Sequence, residues 1–275
     1  MALARRLAGH GRRFREGSDR VTLWEILAVF AAGIGAGIVN TVVGSGSLIT
    51  FPVLLTTGMP PVTAAVSNTL GLIPGSISGA IGYRTELSGQ GRRILKMSVG
   101  ALFGGLAGAM LLLTLPATWF ERIVPALVGL ALVLVLLQPW ISKSVRRRRE
   151  RTSSSPHPDG GPLLLVGLTL ASVYGGYFSA AQGIIYMSLM GMLLDETLQR
   201  LNAVRNVLVA VVNTVAALFF LFSADFDWTA VVLLAIGSAL GGLIGARVGR
   251  RLSPTVLRFL IVAVGIVAIV RLLHH

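Results

Sequence analysis

The sequence predicts an all-α integral membrane protein with about eight transmembrane helices in two homologous repeats, the first helix of each half being discontinuous or re-entrant. Three observations carry this expectation. Of 275 residues, 54% are hydrophobic and only 13% charged, and the mean hydropathy is +0.79, whereas soluble domains are roughly one quarter charged. Apolar runs recur at the roughly 20 residues that a helix needs to cross a hydrocarbon core. The chain also resembles itself at a shift of 138: Ala65-Val66-Ser67-Asn68-Thr69-Leu70 falls on Ala203-Val204-Arg205-Asn206-Val207-Leu208. To within a residue, the same shift carries Gly104-Gly105-Leu106-Ala107-Gly108-Ala109 onto Gly241-Gly242-Leu243-Ile244-Gly245-Ala246 and Pro116 onto Pro254. It also carries Gly37 onto Gly175, and Gly44 to Gly46 onto Gln182 to Ile184. Self-similarity at one fixed shift is the mark of a repeat architecture.

A basic arm, 1–21, opens the chain. The first repeat, 22–141, begins with an apolar run over 22–43 that stops at Gly44-Ser45-Gly46-Ser47 and resumes over 48–57, a stretch too short to cross alone. Helices are then predicted over 61–83, 94–115 and 120–141, followed by a basic, Ser/Pro/Gly-rich linker over 142–161. The second repeat, 162–273, begins with a run over 162–181, a break at Gln182-Gly183 and a short stretch over 184–194. Helices over 201–222, 229–248 and 255–273 complete it. Small residues at four-residue spacing, such as Gly33 with Gly37, Gly104 with Gly108 and Gly241 with Gly245, are read as packing faces. Pro74 and Pro125 are expected to kink their helices.

The formal charge of +13 is concentrated in two places. Residues 1–20 hold six Arg against Glu16 and Asp19, and 142–161 hold Lys143 and five Arg against Glu150 and Asp159. Both segments flank apolar spans, so the excess reads as orientation in a bilayer rather than as nucleic-acid binding, and no aromatic residues interleave with Arg146 to Arg149 to stack on bases. Four basic segments cannot all be cytoplasmic if the halves are equivalent, so parallel and inverted repeats both stay open. There is no Cys, and the four His lie at 10, 157, 274 and 275, in the tails and linker. A thiol nucleophile, a Cys- or His-ligated metal and Ser-His catalysis therefore lack residues in the apolar body, and neither an enzyme nor a cofactor is expected.

Ionisable residues inside a membrane span are functional candidates by default. The carboxylates Glu25, Glu86, Glu121, Asp195, Glu196, Asp225 and Asp227 all fall at helix ends or in loops. Arg205 is the most interior charge, with Asn202 and Asn206 beside it. It reads either as an interfacial Arg that snorkels to the headgroups or as a fixed cation facing an anionic substrate. The Gly44-Ser45-Gly46-Ser47 break opens a helix and leaves free N–H groups and a positive helix end, which together make an anion cradle; a flexible turn is the plain alternative. Gln182 and Gly183 mark the second break, while Asn40, Thr41, Ser67, Asn68 and Thr69 are polar groups that should avoid lipid.

The run Gly-x-x-x-Gly-x-x-Asn-x-x-x-Gly-Ser-Gly-Ser over Gly33 to Ser47, with Pro52 after it, Ala-Val-Ser-Asn-Thr at 65–69 and Gly-Tyr-Arg at 82–84, resembles the TauE/SafE family of membrane permeases over nearly the whole chain. The resemblance implies a multi-pass protein of the bacterial cytoplasmic membrane that moves sulfite or organosulfonates, with Asn40, Gly44 to Ser47, Ser67 and Asn68 near the substrate path. Expected partners are a small anion and the bilayer, with no nucleic acid; a homo-oligomer is compatible with the sequence. A passive anion channel is a close variant, and a scaffold docking partners through its basic linker is the rival from another class.

Overall fold

A computed structural model describes residues 23–151 and 160–248, with 259, 261–264 and 266 beyond them. The predicted arm over 1–21, linker residues 152–159 and most of the predicted 255–273 helix lie outside the described residues. Ten helices lie among the described residues: α1 (Leu23–Val42), α2 (Ser47–Thr56), α3 (Pro61–Gly71), α4 (Ile73–Gly82), α5 (Gly91–Thr114), α6 (Ala117–Arg151), α7 (Gly161–Phe178), α8 (Gln182–Leu193), α9 (Leu198–Leu221) and α10 (Trp228–Val248). Six of them, α1, α5, α6, α7, α9 and α10, are long and apolar enough to cross a membrane. Trp24, Trp140 and Phe222 stand exposed on the outside of the bundle, as side chains facing lipid or its interface do.

Three expectations about elements are corrected. The 61–83 helix is two helices meeting at Leu72, with Pro74 in the first turn of α4, where its missing N–H costs nothing. Pro125, by contrast, lies inside α6 without ending it, and α6 runs through Arg151, well past 141. The second break is not at Gln182-Gly183: α7 stops at Phe178, Ser179 to Ala181 form the break, and Gln182 and Gly183 open α8.

Both breaks turn the chain back on itself. Ile49 of α2 returns alongside Gly35 of α1, and Leu189, then Leu194, return alongside Gly167 and Gly160, the full length of α7. The two pairs are therefore helical hairpins. Small residues let other helices approach at backbone distance. A methyl placed on Gly37 would lie 2.8 Å from the Gly242 nitrogen, and one on Gly33 would lie 3.3 Å from the Gly237 Cα, so α1 runs parallel to α10. In the same way Gly104 meets Val173 and Gly108 meets Tyr177, so α5 runs parallel to α7. Each hairpin thus packs on a helix from the other half of the chain.

One end of the bundle gathers the ends of α4, α8 and α10 and the starts of α5, α7 and α9: Gly82 faces Ala246, Gly160 faces Leu194, and Arg93 meets Glu196. This end carries Arg84, Arg92, Lys96, Arg200 and Arg247 as well, with Glu86 and Asp195; the opposite end carries Glu25, Glu121, Asp225 and Asp227, with Arg122. Glu196 accepts from Arg93 at 2.8 Å and from Arg200 at 2.7 Å. Burial works to raise its carboxyl, but the Arg93 hydrogen bond and the charge and hydrogen bond of Arg200 outweigh this and hold it below the usual carboxylate range. Stability from the cluster is therefore present above the ordinary carboxyl value of 4.5 and lost as pH falls through the lower folded value. Glu196→Gln is expected to cost about 1 kcal/mol at neutral pH. Thermal melts of wild type and variant should converge as pH falls through the lowered folded value; a gap that does not shrink on acidification would remove the carboxylate from the account.

Candidate functional site

The tips of the two hairpins meet. At the first, Gly44 adopts φ +90°, which only glycine takes without strain, and a side chain on Gly46 would lie 2.9 Å from the Asn40 Cβ. The N–H groups of Ser45, Gly46 and Ser47 at the start of α2 bond to no backbone carbonyl, whereas Leu48 already returns to Ser45 at 3.1 Å. At the second tip Ser179 and Ala181 hold φ of 57° and 58°, a left-handed backbone costing roughly 1–2 kcal/mol per residue that carries a Cβ. The Gly183 N–H donates to the Gly44 carbonyl at 3.1 Å, and the Ser47 and Ser179 hydroxyls lie 3.1 Å apart. Two helix N-termini, those of α2 and α8, thus converge on one place.

Arg205 reaches the same place from α9. Because α9 starts at Leu198, the residue sits two turns inside the helix, and at 1% exposure it does not snorkel. A methyl on Gly44 would lie 3.0 Å from its Nη1, and one on Gly183 would lie 3.1 Å from its Cδ. Its Nη2 donates to the carbonyls of Asn40 (2.8 Å) and Thr41 (2.7 Å) and to Asn206 Oδ1 (3.2 Å), and the Asn202 amide also donates to the Thr41 carbonyl at 3.1 Å. Those carbonyls belong to the last turn of α1, where the break strands them and where the helix end is negative. Arg205 therefore caps α1 with one nitrogen, and all the acceptors it uses are neutral oxygens. Its Nε has no partner, nor have Asn206 Nδ2 and the Thr41 and Ser45 hydroxyls, all of them buried and able to donate. A set of unused donors around a guanidinium and two helix N-termini is suited to an oxyanion.

A profile of the family described as "Sulfite exporter TauE/SafE" matches residues 29–272. The chain belongs to the TauE/SafE family of membrane transporters. Relatives include a "Probable membrane transporter protein YfcA" of Escherichia coli (strain K12), 28% identical over 90% of this chain and 88% of its own. A "Probable membrane transporter protein" of Haemophilus influenzae is 26% identical over 86% of this chain and 91% of its own. A "Probable membrane transporter protein ORF9" of Sinorhizobium sp is 25% identical over 89% of this chain and 91% of its own. No solved structure matches the chain.

In this TauE/SafE transporter the candidates divide. Asn40, Gly44, Ser45, Gly46, Ser47, Gly183, Asn202, Arg205 and Asn206 stand at the tips or directly behind them. Asn40 also donates its amide to Ser76 of α4 at 3.1 Å. Asn68 accepts from Thr50, one turn into α2, while Ser67 accepts from the Asp227 N–H at 3.1 Å, toward the start of α10 and away from Arg205. Gln182 donates Nε2 to the Tyr186 hydroxyl at 2.7 Å. Ser76, Ser172, Ser179 and Tyr186 were not singled out by the sequence; the shift of 138 that carries Thr41 onto Ser179 is the signal that would have found the third of them.

Proposed function

We propose that this transporter carries small oxyanions of sulfur, sulfite or an organosulfonate, across the cytoplasmic membrane of a bacterium, and binds them between the two hairpin tips. The observation that supports this most directly is the convergence of two helix N-termini on Arg205, with unpartnered donors at Arg205 Nε, Asn206, Thr41 and Ser45. A site built of fixed donors replaces the hydration that an anion gives up on leaving water. The description of the family as sulfite exporters supports the sulfur chemistry.

The same reading makes the chain two inverted repeats. The hairpins enter from opposite ends of the bundle, which together with the sequence shift supports a site at the repeat interface, of the kind that broken helices form in secondary transporters. The end rich in Arg and Lys, with Arg84, Arg93, Arg200 and Arg247, is assigned to the cytoplasm. The first helix then starts outside.

Purified protein in proteoliposomes, assayed for flux of radiolabelled sulfite with sulfoacetate, taurine, sulfate and phosphate as competitors, tests the substrate class. Sulfite uptake that sulfoacetate suppresses and phosphate does not is the expected result. Equal suppression by all four competitors, or no sulfite flux above that of empty liposomes, would overturn the assignment.

A further inference from the structure

The two hairpins end their first helices differently. The last carbonyls of α1 are capped by Arg205 and Asn202. At the equivalent end of α7 the carbonyls of Gly176 and Tyr177, both buried residues, receive no N–H, and the last turn holds no basic side chain. The position that corresponds to Arg205 at a shift of 138 is Ser67, whose hydroxyl serves the Asp227 N–H instead. A buried helix end with open carbonyls and a negative dipole calls for a positive partner.

A second, independent observation points at the same turn. The Ser172 hydroxyl donates to the Leu168 carbonyl, so it can only accept from Tyr186; Tyr186, its proton spent, can only accept from Gln182 Nε2. This chain fixes the amide of Gln182 and turns Oε1 the other way. Oε1 is buried, has no partner, and packs against Gly175 in the last turn of α7, where any side chain would overlap it. An unpartnered acceptor oxygen against the last turn of a helix whose final carbonyls are open suits a cation. The Ser179 hydroxyl stands at this tip, 3.1 Å from the Ser47 hydroxyl of the first.

We propose that Gly176 and Tyr177 carbonyls, Gln182 Oε1 and the Ser179 hydroxyl bind a sodium ion, and that this ion moves with the anion. All these ligands are neutral oxygens, as a hard cation prefers, and no group of His, Cys, Asp or Glu that could hold a metal occurs among the described residues. Among the described spans the carboxylates, Glu25 and Glu121, stand within the first two turns of α1 and α6, at the end of the bundle away from Arg93 and Arg247, so a proton has no carboxylate or histidine to ride on in their interiors. Half-helix C-terminal ends beside a substrate held at half-helix N-termini are where coupling ions sit in broken-helix transporters. Coupling rests on the anion reading above; sodium binding by itself does not.

The test is scintillation-proximity binding of radiolabelled sodium to the purified full chain in choline chloride, with no anion substrate present. Wild type is expected to bind it saturably, Gln182→Leu to lose about tenfold or more in affinity, and Gln182→Glu, which adds a charge, to gain. Size-exclusion profiles check that both variants fold, and Gln182→Glu keeps the test open if Gln182→Leu does not. No saturable binding by wild type, or equal binding by all three, overturns the site. In proteoliposomes at clamped potential, sulfite uptake should be about tenfold faster in sodium than in choline. Sodium binding with equal uptake in both salts overturns the coupling, while sodium binding without any sulfite flux upholds the site and overturns the anion assignment instead.

Discussion

Arg205→Ala is expected to abolish sulfite flux and to lower stability, and Arg205→Lys is expected to separate the two losses. In the alanine variant the Asn40 carbonyl loses the side-chain donor that Arg205 supplies, while Thr41 keeps Asn202. Leaving one buried carbonyl unsatisfied costs about 1–3 kcal/mol. Removing a buried charged donor from an anion costs about 2–5 kcal/mol more in binding, which is roughly 30-fold to several thousand-fold in affinity. Lysine keeps the charge but not the planar fork, so its ammonium can cap α1 or face the proposed anion, and cannot do both, whereas the guanidinium caps with Nη2 and leaves Nε free. Thermal melts should therefore place Arg205→Lys near wild type and Arg205→Ala well below it, while both lose flux, the lysine variant through a KM raised about tenfold or more. An Arg205→Lys protein with unchanged KM would show that the guanidinium is a cap alone.

What the sequence revealed follows from which interactions are local. Hydropathy located the long helices because lipid forces every backbone group of a span to be satisfied within it. The first break was legible because Gly44 needs a positive φ and glycine advertises it. The second was misplaced by three residues because Ser179 and Ala181 take the same left-handed backbone without glycine, while the more conspicuous Gln182-Gly183 simply starts α8. Arg205 stood out as a lone interior cation, but its cap on α1 joins residues 164 and 165 apart in sequence and has no local signature. Helix direction was hidden for a related reason. The basic residues of the arm pull against those near Arg93 and Arg247, and only the backbone contacts at Gly37 and Gly104 say which helices run parallel.

Gly44→Ala is expected to halt transport by parting the hairpin tips, and a second glycine separates that effect from backbone strain. At φ +90° an alanine costs about 1–2 kcal/mol wherever it stands. At Gly44 its methyl would also lie 2.8 Å from the Gly183 Cα and 3.0 Å from Arg205 Nη1. Backbone cannot yield as a side chain can, so the Gly183 to Gly44 hydrogen bond must open, at a further cost of about 1–3 kcal/mol for overpacking. Gly58 holds φ +81° with nothing within 4 Å of its would-be methyl. Gly58→Ala should therefore show the strain alone: a modest drop in Tm with flux close to wild type. The absence of cysteine from the chain allows the tip contact to be read directly, since Ser47→Cys with Ser179→Cys introduces the only two thiols. That pair should oxidise to a disulfide that reduction reverses, read as a gel-mobility shift, and adding Gly44→Ala should suppress the cross-link. Full cross-linking in the presence of Gly44→Ala would mean that the tips stay together and that the loss of flux has its origin at Arg205.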